Sequence, residues 1–257
     1  MKKWALLIIA LVVSAETVRA DEYRDFLSAD GKAMRGRVLR FDARTHKVTI
    51  ERDNKKVFTV PASVFSKEDQ DYILEWEFNK VFLSDSSFKI EAQRKAVKDD
   101  DESYSGYVQA KKVDVAGYEI TLENRSTSKL ENLSVEYCIF YEQERLNRSK
   151  QLCEQGVYCG TVDVGYLLPK SEKEFMTDSV RVYKTELDAD WIYTSGAQNK
   201  QDGEVHGIWA RVHMKLDSGE TLTRDYCLPD SLNNSRAWTT TSEHVGMNSA
   251  SKKKKKK

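Results

Sequence analysis

The stretch VFTVPASVFSKEDQDYILEW, residues 57–76, constrains the fold more than any other part of the chain. It starts as a strand and meets Pro61, which has no N–H for a β-ladder and so belongs at a strand end. Five residues later SKED has the form of a capping box, with Ser66 at the N-cap and Asp69 three positions on. Tyr72, Ile73 and Trp76 then follow at helical spacing. A strand, a forced stop and a capped helix predict the last strand of a small barrel followed by a short helix that plugs its end.

The segments before it read as strands separated by turns. Asp30-Gly31 predicts a first hairpin, because glycine accepts the positive φ of such a turn, and Asp53-Asn54 predicts a later one. Val48 and Ile50 alternate with Lys47, Thr49 and Glu51, the pattern of a strand with one buried face.

With RDFLSADGK (residues 24–32), VTI (48–50) and VPASVFSKEDQDYI (60–73) in view, residues 22–78 resemble the SLA1 homology domain 1. Pro61, Ser66, Asp69, Gln70 and Tyr72 fall in that family's pattern, and Phe26 stands where bacterial members carry Trp. The resemblance implies an SH3-like barrel over a domain spanning residues 21–83. It further implies a non-enzymatic module that binds proteins or peptides. In fungal endocytic adaptors the module binds short Asn-Pro-Phe-x-Asp peptides, and the family's roles extend to adaptor, cytoskeletal-protein, ubiquitin and self-association contacts.

Beyond it, GYEITLEN, LSVEYCIFYE, GVYCGTVDVGYLL, KEFMTDSVRVY, GIWARVHMKL and ETLTRDYCLP alternate. Tyr118, Ile120 and Leu122 share a face, as do Val135, Tyr137, Ile139 and Tyr141, and as do Ile208, Ala210, Val212 and Met214. Seven or so strands with polar turns predict an antiparallel β-sandwich over residues 84–240. The fold class expected for the whole chain is therefore all-β. Residues 79–87 read as a drifting connection, the acidic run Asp99–Glu102 as a solvated loop, and residues 241–257 as a disordered lysine-rich tail.

Lys2 and Lys3 precede the apolar run WALLIIALVV, and VRA ends at Ala20, so residues 1–20 read as a signal peptide cleaved after Ala20, with Ala15 as the next candidate. The apolar run is shorter than the ~20 residues a membrane span needs. The expected location is the periplasm, the cell envelope or the extracellular space. Cleavage removes Lys2, Lys3, Arg19 and Glu16, turning 41 basic and 41 acidic residues into 38 and 40, net −2. Without Lys252–Lys257 the body holds 32 against 40, net −8. An acidic body with a basic tail does not fit nucleic-acid binding, whereas the tail suits weak contact with an anionic surface.

In an oxidising compartment Cys138, Cys153, Cys159 and Cys227 become disulfide candidates. Cys153 and Cys159 are close in sequence, and Cys138 faces Cys159 if a hairpin turns near Arg148; Cys159 is paired in either case. None forms a C-x-x-C, and the four histidines form no ligand pair, so neither a metal nor a cofactor is expected. No nucleophile elbow and no phosphate-binding glycine loop occurs.

That leaves charge and aromatic rings as carriers of function. Arg35 and Arg37 share a strand face beside Lys55 and Lys56, a candidate basic edge for an acidic peptide. Trp191, Tyr193, Trp209 and Trp238 belong to the sandwich, and an exposed coplanar pair would support a carbohydrate-binding alternative. A structural cell-envelope protein, with the lysine tail as a tether, is the third reading. The first test is the mature N-terminus: intact-mass analysis of secreted protein is expected to give a chain starting at Asp21, and retention of Met1 in a membrane fraction would refute export by this signal.

Overall fold

A computed structural model describes residues 23–97, 104–105, 109–147, 150–188, 190 and 200–243. The expected signal peptide, the acidic run Asp99–Glu102, Trp191, Tyr193, His244 and the lysine tail lie outside the described residues. Contacts divide the chain into two units, Met1–Glu77 and Phe78–Lys257.

The first unit is an antiparallel meander of β1 (Arg24–Leu27), β2 (Ala33–Asp42), β3 (Lys47–Arg52) and β4 (Val57–Pro61), in that spatial order. A 3₁₀ turn (Ala62–Val64) leads to α1 (Lys67–Phe82). Gly31 makes the first turn with φ +81°. In the second turn the positive φ falls on Lys55 rather than on the Asp53-Asn54 pair, and the Asn54 side chain accepts the Lys56 N–H at 3.1 Å. The sheet is not a closed barrel. Its two ends are joined by a single Ser28–Phe65 bridge, with Ala29 N–H donating to Val64 and Ser66 N–H to Leu27, both at 2.8 Å.

Phe26, Val38, Phe41, Val48, Ile50, Phe65, Ile73 and Trp76 form the core of this unit. Strict alternation would put Val38 and Phe41 on opposite faces. A bulge between Val38 and Arg40 inserts one extra residue and brings both inward. Half of the predicted capping box is present: Asp69 N–H donates to Ser66 Oγ at 3.3 Å, whereas the Asp69 side chain accepts the Ser66 hydroxyl at 3.1 Å and the Ser66 N–H goes to Leu27 instead. Asp69 also reaches back to β1, accepting the Leu27 N–H at 2.6 Å and the Arg24 guanidinium at 2.9 Å. Arg24 in turn lies 3.9 Å from the centre of the Tyr72 ring and 5.4 Å from that of Phe26. Gln70 donates to the Phe65 carbonyl at 2.8 Å.

The helix is longer than the sequence suggested. It continues to Phe82, and its residues from Phe78 on belong to the second unit, to whose core Phe78, Val81 and Phe82 contribute. There the strands are β5 (Phe88–Ala96), β6 (Tyr104–Ser105), β7 (Gln109–Asn124), β8 (Leu130–Asn147), β9 (Lys150–Leu167), β10 (Ser171–Met176), β11 (Val180–Leu187), β12 (Lys200–Gln201), β13 (Gly203–Lys215) and β14 (Thr221–Leu228). One antiparallel sheet runs β10-β7-β11-β12, with β5 and β6 also on β7; the other runs β14-β13-β8-β9. The three faces predicted to be apolar, on β7, β8 and β13, all turn into the core of this β-sandwich. FKIEAQRKA, which carried no assignment in the sequence, forms β5.

Polar staples hold the two sheets together. The Gln143 amide on β8 accepts the Tyr183 N–H at 2.9 Å and donates to its carbonyl at 3.0 Å, imitating a strand partner for β11. The hydroxyls of Tyr137 and Tyr158 meet one oxygen of Asp178, at 3.0 and 2.8 Å, and burial pushes the Tyr137 pKa up to about 12. The Tyr137 ring covers Gly160 on β9, where a Cβ would lie 2.4 Å from the phenolic oxygen. Arg224 donates to the carbonyls of Phe82 and Phe88, at 2.9 and 2.7 Å, fixing the turn that opens β5. Among the described residues no helix is long and apolar enough to cross a membrane.

The Asp69 cluster generates a stability prediction. Asp69→Ala keeps the Ser66 cap but leaves Arg24 and the Leu27 N–H without their carboxylate, so it is expected to destabilise the first unit by about 3 kcal/mol in urea unfolding. Lys67→Ala, which removes only an exposed ion pair with Asp71, is expected to change stability by less than about 0.5 kcal/mol.

Candidate binding surfaces

Strand register fixes which side chains of the first unit share its outer face. Asp25 pairs with Arg35, Arg37 with Glu51 and Glu51 with Val57, and Arg40 with Thr49 and Thr49 with Thr59, forming three rows. The two candidate arginines therefore do share a face, but their surroundings differ. Arg35 is exposed and makes no ion pair among the described residues. Arg37 Nη2 donates to Glu51 Oε2 at 3.3 Å, and its guanidinium lies 5.4 Å from the Tyr23 ring centre.

Glu51 is the hub of this patch. It accepts the Tyr23 hydroxyl and, at 3.1 Å, Lys55 Nζ, which also contacts the Tyr23 oxygen at 2.9 Å. The Tyr23 hydrogen bond, then Lys55, then Arg37 hold its carboxyl at about 2, well below the usual 4.5. The basic edge read from the sequence thus carries a carboxylate at its centre and an aromatic ring beside it. Tyr23 and Glu51 had no prominence in the sequence, because only the hairpin register brings residues 23, 37, 51 and 55 together. Val57, 55% exposed, adds an apolar neighbour in the Glu51 row.

The second surface is the outer face of the β14-β13-β8-β9 sheet. Cys227, Trp209, Cys138 and Cys159 form one row across its four strands. Cys138 and Cys159 are register partners with Cα atoms 4.1 Å apart, and they form a disulfide, so Cys159 is paired as expected and the hairpin pairing is the one realised. Of the other two candidates, Cys227 is a buried free thiol and Cys153 an exposed one. Partial desolvation, then Glu142, raise the Cys153 pKa.

The chain after β14 folds back over this row through α2 (Leu232–Ser235), and Glu243 bridges to Val157. Leu232 and Trp238 join Cys138, Phe140, Val157 and Cys227 in a small apolar cluster. Trp238 meets Trp209 edge-on, with ring centres 5.7 Å apart and planes at 67°, so these two rings are not coplanar. Arg211 covers Trp238 at 4.2 Å while its guanidinium grips Asp225 with two hydrogen bonds of 2.7 and 3.1 Å. Beside them Glu136, Thr161, Trp238, Thr239, Thr240 and the disulfide line a pocket of about 80 Å³.

Two of the histidines sit near carboxylates, His206 Nε2 at 3.0 Å from Glu142 and His213 Nε2 at 3.4 Å from Glu136. No group of three His, Cys, Asp or Glu side chains able to hold a metal occurs among the described residues. Asn124, which begins an Asn-x-Ser glycosylation sequon with Ser126, is fully buried, its amide donating to the Ser128 and Leu168 carbonyls, which closes that position to a glycan.

No family model matches the chain, and no curated protein matches it. Solved structures similar to part of it include an ApaA-like protein from Bordetella pertussis, 9% identical over 55% of this chain and 90% of that one, with a TM-score of 0.24. The structural-genomics target SoR45 is 14% identical over 56% and 86%, with a TM-score of 0.22. Spo0M, a sporulation control protein from Bacillus subtilis, is 8% identical over 55% and 48%, with a TM-score of 0.21.

The Glu51 hub predicts a pH response of definite sign. Because its folded pKa lies below the ordinary value, the contribution of the ionised carboxylate is complete above about pH 4.5 and is lost as pH falls toward 2. Carboxyl-carbon NMR is expected to show Glu51 titrating near 2, and Tyr23→Phe is expected to move that midpoint upward. A midpoint near 4.5 in the unsubstituted protein would show that the hub does not form.

Proposed function

We propose that this chain is an exported, non-enzymatic binding protein whose first unit is an SLA1 homology domain 1-like, SH3-like module that holds peptides on the outer face of its sheet. The observation that supports this most directly is the fate of the residues that carry the resemblance. Phe26, Ser66, Asp69, Gln70 and Tyr72 build the capped helix and its clasp on β1, and so are engaged in making the fold. The opposite face of the sheet is left to Tyr23, Arg35, Arg37, Glu51, Lys55 and Val57. An aromatic ring, an unengaged guanidinium and an exposed valine on one sheet face suit an extended peptide with an acidic and an apolar residue.

Export, read from residues 1–20, sets the partner class as an envelope or extracellular protein or peptide. A disulfide between Cys138 and Cys159 is compatible with that compartment. Self-association belongs to the same reading, since a second copy offers acidic segments.

The test uses the exposed arginine. Arg35→Glu is expected to weaken binding of an acidic, aromatic-containing peptide by about tenfold, or about 1.4 kcal/mol, with unfolding unchanged within about 0.5 kcal/mol. A peptide array read by fluorescence anisotropy measures this. Equal affinity of the unsubstituted and Arg35→Glu proteins, or loss only on substitution of Trp209 or Trp238, would defeat the proposal.

A further inference from the structure

The pocket beside the disulfide is not part of the surface proposed above, and its lining specifies a ligand. Register places Asp225, Arg211, Glu136 and Thr161 in one row across the sheet, immediately next to the Cys227–Trp209–Cys138–Cys159 row. Arg211, the cross-strand partner of Glu136, gives both its hydrogen bonds to Asp225 and its face to Trp238, so Glu136 feels its charge without a hydrogen bond from it. On the other side of Glu136 the β9 residues sharing the outer face are Thr161 and Asp163, a hydroxyl and a second carboxylate. His213 lies 3.4 Å from Glu136 and is engaged through Nδ1 with Thr223 at 3.0 Å. The pocket therefore has an aromatic wall, threonine hydroxyls, one carboxylate and no cation among its lining residues.

Each ligand class meets this lining differently. An anion would be repelled by Glu136, with Asp163 and Asp225 close by. A pyranose ring fits the recess only in part: about 80 Å³ accommodates roughly five water-sized groups, less than half the non-hydrogen atoms of a hexose. Stacking on Trp238 is also hindered, because Arg211 occupies one face of the ring and Trp209 abuts it edge-on. An alkyl chain ending in an ammonium fits on both counts, since its methylenes can lie along indole and disulfide while its three donors meet a carboxylate and hydroxyls.

The geometry points to this pocket as a binding site for a single lysine side chain, anchored by Glu136 and walled by Trp238. The sequence holds one source of such a group in Lys252–Lys257, which begins nine residues after Glu243, whose backbone pairs with Val157 two residues before Cys159. A lysine-bearing partner protein is the other source. Nine residues span up to about 30 Å when extended, so the first source is within reach of the pocket.

The test titrates an acetyl-Gly-Lys-Gly-amide peptide, and the same peptide with Nε-acetyllysine, into the full chain and into a chain ending at Ser251. Tryptophan fluorescence and backbone amide shifts are read. Saturable shifts at Gly160, Thr161 and Thr240 are expected for the lysine peptide in the shorter chain, with at least tenfold weaker binding of the acetylated peptide. Glu136→Gln is expected to lose the same factor while its amide spectrum stays folded. Weaker binding to the full chain than to the shorter one would support the site with the chain's own tail as the competing ligand, and equal binding would support it with an external partner. Equal affinity for both peptides, an unaltered response in Glu136→Gln, or shifts spread over all acidic surfaces would overturn the assignment.

Discussion

The first unit depends on one buried carboxylate. Asp69, 3% exposed, accepts from the Ser66 side chain, from the Leu27 backbone and from Arg24, so a single side chain ends a helix, holds the edge strand and neutralises an arginine. A carboxylate this far out of water is tolerated only when its oxygens are occupied, which ties the three partners to one geometry. Arg24 then lies over Tyr72 and beside Phe26, extending the same constraint into the aromatic core. Without that clasp, the short β1 would be held only by its ladder to β2 and the Ser28–Phe65 bridge.

The sandwich solves a different problem, which is keeping two broad sheets in one register. Apolar burial alone does not choose a register, since sliding one sheet costs little when every neighbour is aliphatic. The Gln143 amide, the Asp178 carboxylate shared by two tyrosines, and the Arg224 contacts to Phe82 and Phe88 are directional and are left unpaired by a slip. Within one sheet Gly160 plays a comparable part for the β8–β9 pair, because the ring of its register partner Tyr137 occupies the space a side chain would need.

Both binding surfaces lie on the faces turned away from the two main cores, and both place a carboxylate among cations and rings. On the small sheet Glu51 draws in Tyr23, Lys55 and Arg37, leaving Arg35 as the cation open to a partner. On the large sheet Arg211 gives its hydrogen bonds to Asp225, and Glu136, with Arg211 and His213 as neighbours, is the carboxylate that lines the pocket. The two surfaces therefore present opposite charges to their ligands although they are built from the same residue types.

The sequence by itself determined the local elements: the strand ending at Pro61, the Ser66–Asp69 cap, the glycine turn at Gly31 and the apolar faces of β7, β8 and β13. These depend on one residue's geometry or on a period of two, which neighbours in sequence are enough to express. It left open which cysteine pairs with Cys159, where α1 ends and what surrounds Arg37, because each is a matter of register between distant strands. Cys138 met Cys159 only once β8 and β9 had paired, and the helix ran to Phe82 with its last turn in a second core. The pocket depended wholly on tertiary structure, since residues 136, 161 and 238–240 share no local pattern and come together only when the chain after β14 folds back over the sheet.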